Sequence, residues 1–464
     1  MSYTSHNLAD TIVALATPPG TGALGIIRLS GPEALHIANA SFKGKDLSQQ
    51  ASHTIHYGNI LSPDGRLIDE VLISLFIAPR SYTRENVVEV SCHGSPYIQQ
   101  QLIQLYVEAG ARLAQPGEFT LRAFLNGQLD LSQAEAVADL IASTSESAHA
   151  LALQQLRGGY SDEIQQLRQQ LIDFASLIEL ELDFSEEDVE FANREELKTL
   201  VQKIQGLLKA LIDSFQLGNA IKNGVSTVIA GRPNAGKSTL LNALLNEERA
   251  IVSDIAGTTR DTIEEVLNIQ GLPFRLIDTA GLRDAQDQIE AVGVARTLEK
   301  IKSSALLVYV FDVVQTQPEE VREDLKSLAA EGVPLLVVAN KMDLNPYTKY
   351  EHYANEWLQP EQFVPVSAAN NMNIEYLKEK LYQLVIDQKV NLESTVVSNA
   401  RHYEALTKAH ESLGDVLRGM ADGVTSDFVA MDIRRALAYL GEITGEVSTD
   451  DLLGNIFGKF CIGK

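Results

Sequence analysis

The chain is poor in cysteine, in basic charge and in long apolar runs, and each shortage excludes something. Two cysteines among 464 residues, Cys92 and Cys461, leave no disulfide framework and point to a reducing compartment. The longest apolar stretches, around Val71–Ala78 and Ala305–Phe311, are too short to span a bilayer. No basic cluster precedes an apolar stretch in Met1–Asp10, so no signal peptide is expected and the protein reads as cytoplasmic, with no membrane partner. Lysine and arginine total 38 against 62 aspartates and glutamates, a formal charge of −24. That deficit argues against a nucleic-acid binder relying on an overall basic surface.

What is present suits a large globular protein. Hydrophobic residues make up 45% and charged residues 22%, and the length predicts about three domains. The acidity is regional. Residues 1–126 carry 8 basic and 10 acidic side chains (−2), and residues 223–385 carry 15 and 23 (−8). The remainder, 127–222 with 386–464, carries 15 and 29 (−14). Glu179–Glu190 holds seven carboxylates and no base, which reads as a solvated helix face and its connecting loop.

Local patterning follows the same zones. Residues 1–126 read as α+β: Ile55–Ile60 and Leu67–Ile77 are strand-like and flank Asp64-Gly65, a hairpin dipeptide. Val87–Ser91 adds a short β-like run and Pro96–Ala109 a helix. From Leu129 to about Lys222 the spacing is helical, with Ile164, Leu167, Leu171, Phe174 and Ile178 on one face. After residue 223, apolar β runs alternate with helices, which predicts a parallel α/β sheet. The runs are Val225–Ala230, Phe274–Ile277, Ala305–Phe311 and Pro334–Ala339. Helical texture returns past residue 390, in Tyr403–Met420 and Val429–Gly441.

Gly231-Arg232-Pro233-Asn234-Ala235-Gly236-Lys237-Ser238 follows a β run and opens the amphipathic helix Thr239–Leu245, the context of a phosphate loop. Its glycines let backbone N–H groups turn toward phosphates, Lys237 can reach the β- and γ-phosphates, and the Ser238 hydroxyl can bind magnesium. Asp278-Thr279-Ala280-Gly281 ends a β run, placing Asp278 at the magnesium shell and the Gly281 N–H toward the γ-phosphate. Asn340-Lys341-Met342-Asp343 ends another, and the Asp343 carboxylate can accept from the ring N–H and amine of guanine, a donor pair that adenine lacks. Ser367-Ala368-Ala369 can offer a backbone N–H to the guanine oxygen. Each motif alone also reads as a polar strand-to-loop turn; four in this order predict a GTP site.

Ras-like GTPases place a water-orienting Gln after the Asp-x-x-Gly motif, whereas Leu282 stands here. An apolar side chain cannot orient water, so another residue must, and transition-state charge needs a separate cation. Ser253–Asp261 lies where the first switch belongs, and a threonine there can complete the magnesium shell.

The whole chain resembles the MnmE (TrmE) family of bacterial tRNA modification GTPases. The match runs from Thr17-Pro18-Pro19-Gly20 through Pro116-Gly117-Glu118-Phe119 and Leu129–Ala136 to Phe460-Cys461-Ile462-Gly463-Lys464, and includes the phosphate loop and Gly257–Asp261. The resemblance implies a multidomain α+β and α/β protein. A tetrahydrofolate-binding-like, dimerising domain spans 1–126, a helical domain is split into 127–222 and 386–464, and a Ras-like G domain is inserted at 223–385. Family motifs imply nucleotide contacts from Asn234, Ala235, Gly236, Lys237, Ser238, Thr239, Ser253, Thr258, Thr259, Asp278, Gly281, Asn340, Lys341, Asp343, Ser367 and Ala368. They assign magnesium to Ser238 and Thr259, and potassium to Asn234, Ser253, Ile255 and Thr258, where it would serve in place of an arginine finger. Glu290 matches the family's water-positioning glutamate.

The resemblance further implies a bound 5-formyl- or methylene-tetrahydrofolate near Arg28, Glu89, Gln128 and Lys464. Gln128 departs from the family, since many relatives carry Lys there, and its loss weakens the electrostatic case. The implied partners are a second copy of the chain, the FAD-containing MnmG (GidA) in a heterotetramer or larger complex, and tRNA. The implied product is a wobble uridine modified at its 5-position, of the carboxymethylaminomethyl or aminomethyl type. The acidic helices predict that the partner supplies much of the grip on tRNA. Two competitors are an Era-like ribosome-assembly GTPase, which would need a basic RNA module, and a folate-dependent one-carbon transferase with a regulatory G domain. Cys461 has no neighbouring His to activate it as a nucleophile. Cys92 and His93, adjacent on a strand, are expected on opposite faces, with the cysteine buried.

Overall fold

The computed structural model describes residues 9–183, 193–245, 264–278, 304–330, 332–386, 396–447 and 449–464. The chain divides into two compact units. One comprises Met1–Ala142, Ala152–Gln205 and Ala405–Lys464, the other Ser143–Leu151 and Gly206–Glu404.

The first unit contains strands β1 (Ile12–Leu15), β2 (Leu24–Ser30), β3 (Phe42–Lys43), β4 (Thr54–Leu61), β5 (Leu67–Phe76), β6 (Val87–His93) and β7 (Arg112–Leu113). They form one sheet in the order β3-β4-β5-β6-β2-β1-β7, antiparallel except for the β1–β7 pair. The predicted hairpin joins β4 to β5: the Ser62 amide donates to the Arg66 carbonyl, and Gly65, at φ 83°, supplies the left-handed residue of the turn. Period-two alternation sends Val71, Ile73 and Leu75 inward with Val88, Val90 and Cys92, where Leu102 and Tyr106 of helix Pro96–Glu108 complete the core. Tyr57 and its cross-strand neighbour Leu72 are 66% and 48% exposed. Cys92 is buried and donates its thiol to the Gly25 carbonyl, while burial pushes its pKa up to about 11. His93 points the other way and meets Asp69 at 2.7 Å, so the pair is no catalytic dyad.

Helices fill the rest of this unit. Ser161–Asp183 buries Ile164, Leu167, Leu171, Ala175 and Ile178, so the apolar stripe passes through Ala175 and leaves Phe174 half-buried. Two carboxylates of the acidic run have basic partners, and one of them is buried. Glu179 pairs with Arg434 at 2.6 Å, and Glu181, buried, pairs with Arg194; residues 184–192 lie outside the described residues.

The second unit contains β8 (Val225–Ala230), β9 (Glu264–Ile269), β10 (Leu272–Asp278), β11 (Leu306–Asp312), β12 (Leu335–Asn340) and β13 (Phe363–Pro365). The order is β13-β12-β11-β8-β10-β9, with only β9 antiparallel to its neighbour. Every residue of β11 and β12 is buried, because both faces of the sheet carry a core. Leu240 and Leu244 of helix Lys237–Leu245 pack on one face, and Val321 and Leu325 of helix Pro318–Ala329 on the other. The segment Ser143–Leu151, from the stretch read as helical, joins this unit: Leu151 lies in the core with Leu267 and Leu272. Ser147 donates to the carbonyl of Gly271 in the β9–β10 turn. From β8 the chain moves to β9 and β10 on one side, then returns past β8 to β11, β12 and β13 on the other. Such a reversal opens a crevice at the carboxyl ends of the strands, where ligands of open α/β sheets bind.

Candidate nucleotide site

The phosphate loop leaves the carboxyl end of β8, at that reversal point. Gly231, at φ 152°, passes so close to β11 that a Cβ would meet the Val310 carbonyl at 2.1 Å. Gly236, at φ 87°, leaves no room for one either, because the Asn340 side-chain amide would stand 2.4 Å away. Asn234 takes φ 62°, a left-handed conformation that asparagine tolerates better than most residues. The loop is therefore shaped by backbone turns that glycine and asparagine accept best, the kind of turn that lets N–H groups face an anion. The helix begins at Lys237, two residues before the predicted start. Its buried Lys237 donates to the carbonyls of Gly231 and Arg232, both at 2.9 Å, which holds the ammonium over the loop. Ala235 is buried; Ser238 and Thr239 are exposed at the first turn of the helix.

The base-reading residues converge on the same end of the sheet. Asn340, only 2% exposed, donates to the Ala235 carbonyl at 2.9 Å. Its Oδ1 accepts from the Lys341 amide at 2.9 Å and the Ala368 amide at 3.1 Å. One side chain thus ties the phosphate loop, the loop after β12 and the loop after β13. Asp343 Oδ1 accepts from the buried Ser367 hydroxyl at 2.6 Å, which fixes the carboxylate beside the Ala368 backbone. Lys341 has φ 68°, strained for a lysine, and its ammonium meets Asp312 Oδ2 at 2.7 Å.

Asp312 is a site residue that belongs to none of the short motifs. It ends the buried strand β11, and its other oxygen accepts from the Val314 amide at 2.8 Å. Burial disfavours its charge, but the Lys341 ammonium and the Val314 amide outweigh burial and hold the carboxyl below its usual range. The signal was available: a carboxylate closing an apolar β run, as Asp278 closes β10. Ser253, Ile255, Thr258, Thr259, Gly281 and Glu290 lie outside the described residues. The donors of the expected magnesium set are hydroxyl and carboxylate oxygens, which suit a hard cation.

In the first unit, Arg28 and Glu89 face each other across β2 and β6 and form an ion pair, Nη2 to Oε1 at 2.7 Å. The guanidinium lies 5.6 Å from the Phe119 ring centroid and 5.9 Å from that of Tyr82, and it reaches the Gly463 carbonyl at 3.3 Å. The terminal segment is docked beside it: Gly117 donates to the Cys461 carbonyl and Phe119 to that of Lys464. Cys461 itself is exposed. Gln128 accepts from Arg84 at 2.9 Å and lines, with Tyr82, His53 and Phe76, an open cavity of about 460 Å³. Arg28, Glu89 and the terminal segment are thus gathered at one place, with Gln128 linked to them through Tyr82. Phe119 closes the Pro116-Gly117-Glu118-Phe119 motif, whereas Tyr82 belongs to no motif in the sequence. Among the described residues no cluster of His, Cys, Asp and Glu could hold a metal ion, and no helix is long and apolar enough to cross a membrane.

Two family models match the chain: the GTP-binding protein TrmE N-terminus over residues 11–128, and the MnmE helical domain over residues 131–461. The tRNA modification GTPase MnmE of Cytophaga hutchinsonii is 55% identical over 461 residues, covering 99% of each chain. That of Christiangramia forsetii is 54% identical, covering 98% of this chain and all of its own. The MnmE of Bacteroides fragilis is 47% identical over 464 residues, covering 98% of this chain and 99% of its own.

Proposed function

The chain belongs to the MnmE (TrmE) family of tRNA modification GTPases, and from that premise we propose that it is a potassium-stimulated, magnesium-dependent GTPase whose cycle gates wobble-uridine modification at the pyrimidine 5-position. The observation that carries the nucleotide site is Asn340, whose three hydrogen bonds join the phosphate-binding and base-reading segments. The backbone N–H groups of Asn234–Ser238 and the Lys237 ammonium bind the β- and γ-phosphates, with Thr239 next in the helix. Asp343, steadied by Ser367, accepts from the guanine edge while a backbone N–H of the Ser367-Ala368-Ala369 segment donates to the guanine oxygen. Ser238, Thr259 and Asp278 would hold magnesium, which supplies charge neutralisation at the phosphates. Asn234, Ser253, Ile255 and Thr258 would surround potassium, and the Gly281 N–H would serve the γ-phosphate. Glu290 orients the attacking water, a task that Leu282 cannot perform.

The domain organisation proposed is 1–126, the split pair 127–222 and 386–464, and the inserted 223–385. Arg28 and Glu89, with Gln128 and Lys464, would hold a formyl- or methylene-tetrahydrofolate, which supplies one carbon. The ion pair is only about one-fifth exposed, yet its groups retain the chemistry to meet a carboxylate tail and a pterin edge. The exposed Tyr57–Leu72 face of the first sheet supports a homodimer through this domain. An FAD-containing partner, MnmG, would complete a heterotetramer or larger cytoplasmic complex. The net charge of −24 supports a division of labour in which that partner supplies most of the grip on tRNA.

The hydrolytic part is tested by GTP turnover in potassium and in sodium at equal ionic strength. Faster turnover in potassium is expected, and equal rates would remove the cation from the mechanism.

A further inference from the structure

We propose that Arg232, inside the phosphate loop, is a positioning residue that holds the loop in its nucleotide-receiving shape and is not the cation of the transition state. The inference rests on reading that loop as the GTP-phosphate site. An arginine one residue into a phosphate loop lies near developing phosphoryl charge, so a catalytic role is its natural competitor. The geometry points elsewhere.

The guanidinium is held by helix Pro318–Ala329. It meets Asp324 in a fork, Nε to Oδ2 at 2.8 Å and Nη2 to Oδ1 at 3.2 Å, and Nη1 donates to Glu320 Oε1 at 2.5 Å. Glu320 and Asp324, four residues apart, share one face of that helix. Both acceptors are themselves fixed. The Tyr309 hydroxyl, on β11, donates to Asp324 Oδ2 at 2.5 Å, and the second oxygen of Glu320 accepts from the Gln317 amide and caps the helix. Val321 and Leu325 anchor the helix in the core. The hydrogen bonds that Arg232 donates to Asp324 raise its pKa above its ordinary range, and burial raises that of the Tyr309 phenol.

The backbone of the same residue is tied into the phosphate loop. The Arg232 carbonyl accepts from Lys237 Nζ at 2.9 Å and from the Ala235 amide at 3.3 Å. The preceding residue, Gly231, lies against the Val310 carbonyl. The loop is therefore fixed at its entry twice, by close approach to β11 and by the Arg232 fork. The residue so fixed presents a carbonyl that steadies the phosphate-binding lysine. For Arg232 to reach the phosphates instead, it would have to leave three charge-assisted hydrogen bonds, the stronger kind.

The test is a double-mutant cycle on the full chain with Arg232→Ala, Asp324→Asn and the pair, adding Arg232→Lys as the conservative variant. The readouts are the Kd for a fluorescent GTP analogue, KM, kcat and the thermal midpoint. Asp324→Asn is isosteric and keeps a partner for Tyr309, so it probes the fork with the packing intact. Each single variant is expected to raise Kd and KM about tenfold with kcat changed less than about twofold. The double variant should be no weaker than the weaker single, because both act through one contact. Lysine cannot make the fork, so Arg232→Lys should restore only part of the affinity. A fall in kcat at unchanged Kd in Arg232→Ala, with Asp324→Asn behaving as the parent, would overturn the proposal, as would additive effects. A parent chain that fails to bind GTP would sink the nucleotide reading itself, whereas a binding parent with unaffected variants would sink this inference alone.

Discussion

Asn340→Ala tests whether three loops, distant in sequence, act as one site. The substitution deletes a donor to the Ala235 carbonyl and an acceptor from the Lys341 and Ala368 amides, in a place only 2% exposed. Each such hydrogen bond contributes about 0.5–1.5 kcal/mol net, and a buried group left unpaired costs about 1–3 kcal/mol. Water entering the space of the lost side chain can satisfy some of the orphans, so about 2–4 kcal/mol is the expected total. Part of that appears as a lower thermal midpoint, and part as loss of preorganisation at the site. If about 2 kcal/mol falls on nucleotide binding, GDP and GTP affinities drop about 30-fold. The assay is titration with a fluorescent GDP analogue on protein shown by circular dichroism to be folded. A folded variant with unchanged affinity and unchanged thermal midpoint would refute the reasoning, since the three loops would then not depend on their shared side chain.

Two further substitutions probe the base-reading end. Asp343→Asn should shift preference from GTP toward XTP in a competition assay, because the amide can donate to the xanthine oxygen but no longer accepts both guanine donors; unchanged selectivity would remove Asp343 from base reading. Asp312→Asn should lower stability at neutral pH by weakening the contact to Lys341. The folded pKa of Asp312 lies below its ordinary 3.8, so its contribution is full above that value and fades as pH falls through the lower folded one. The difference in thermal midpoint between parent and variant should therefore shrink below about pH 4, and a constant difference would count against the ion pair.

Much of this arrangement is legible in the sequence, for physical reasons that differ between elements. The fully buried strands β11 and β12 appear as near-continuous apolar runs because both sheet faces are covered, and the phosphate loop carries glycines where a Cβ would collide with Val310 or Asn340. Pairwise geometry was not legible. Nothing in the sequence says that Asp324 will fork with Arg232, 92 residues away, or that Ser147 will donate to the Gly271 carbonyl. Helical spacing identified the face of Ser161–Asp183 but chose Phe174 over Ala175, because size suggests burial while the 3.6-residue period decides it. Charge counting treated the acidic run as solvated, although Glu181 is buried against Arg194, since a count of charges carries no information about partners. Asp312 belongs to no short motif, yet it neutralises the lysine of one.

The central claim is that GTP turnover by this chain serves modification of the wobble uridine. The direct measurement is nucleoside analysis by mass spectrometry of tRNA from cells lacking the protein, with the parent chain restored as control. Loss of the 5-substituted wobble uridines, recovered on restoration, is the predicted result. Normal wobble uridines in cells lacking the protein would contradict the assignment.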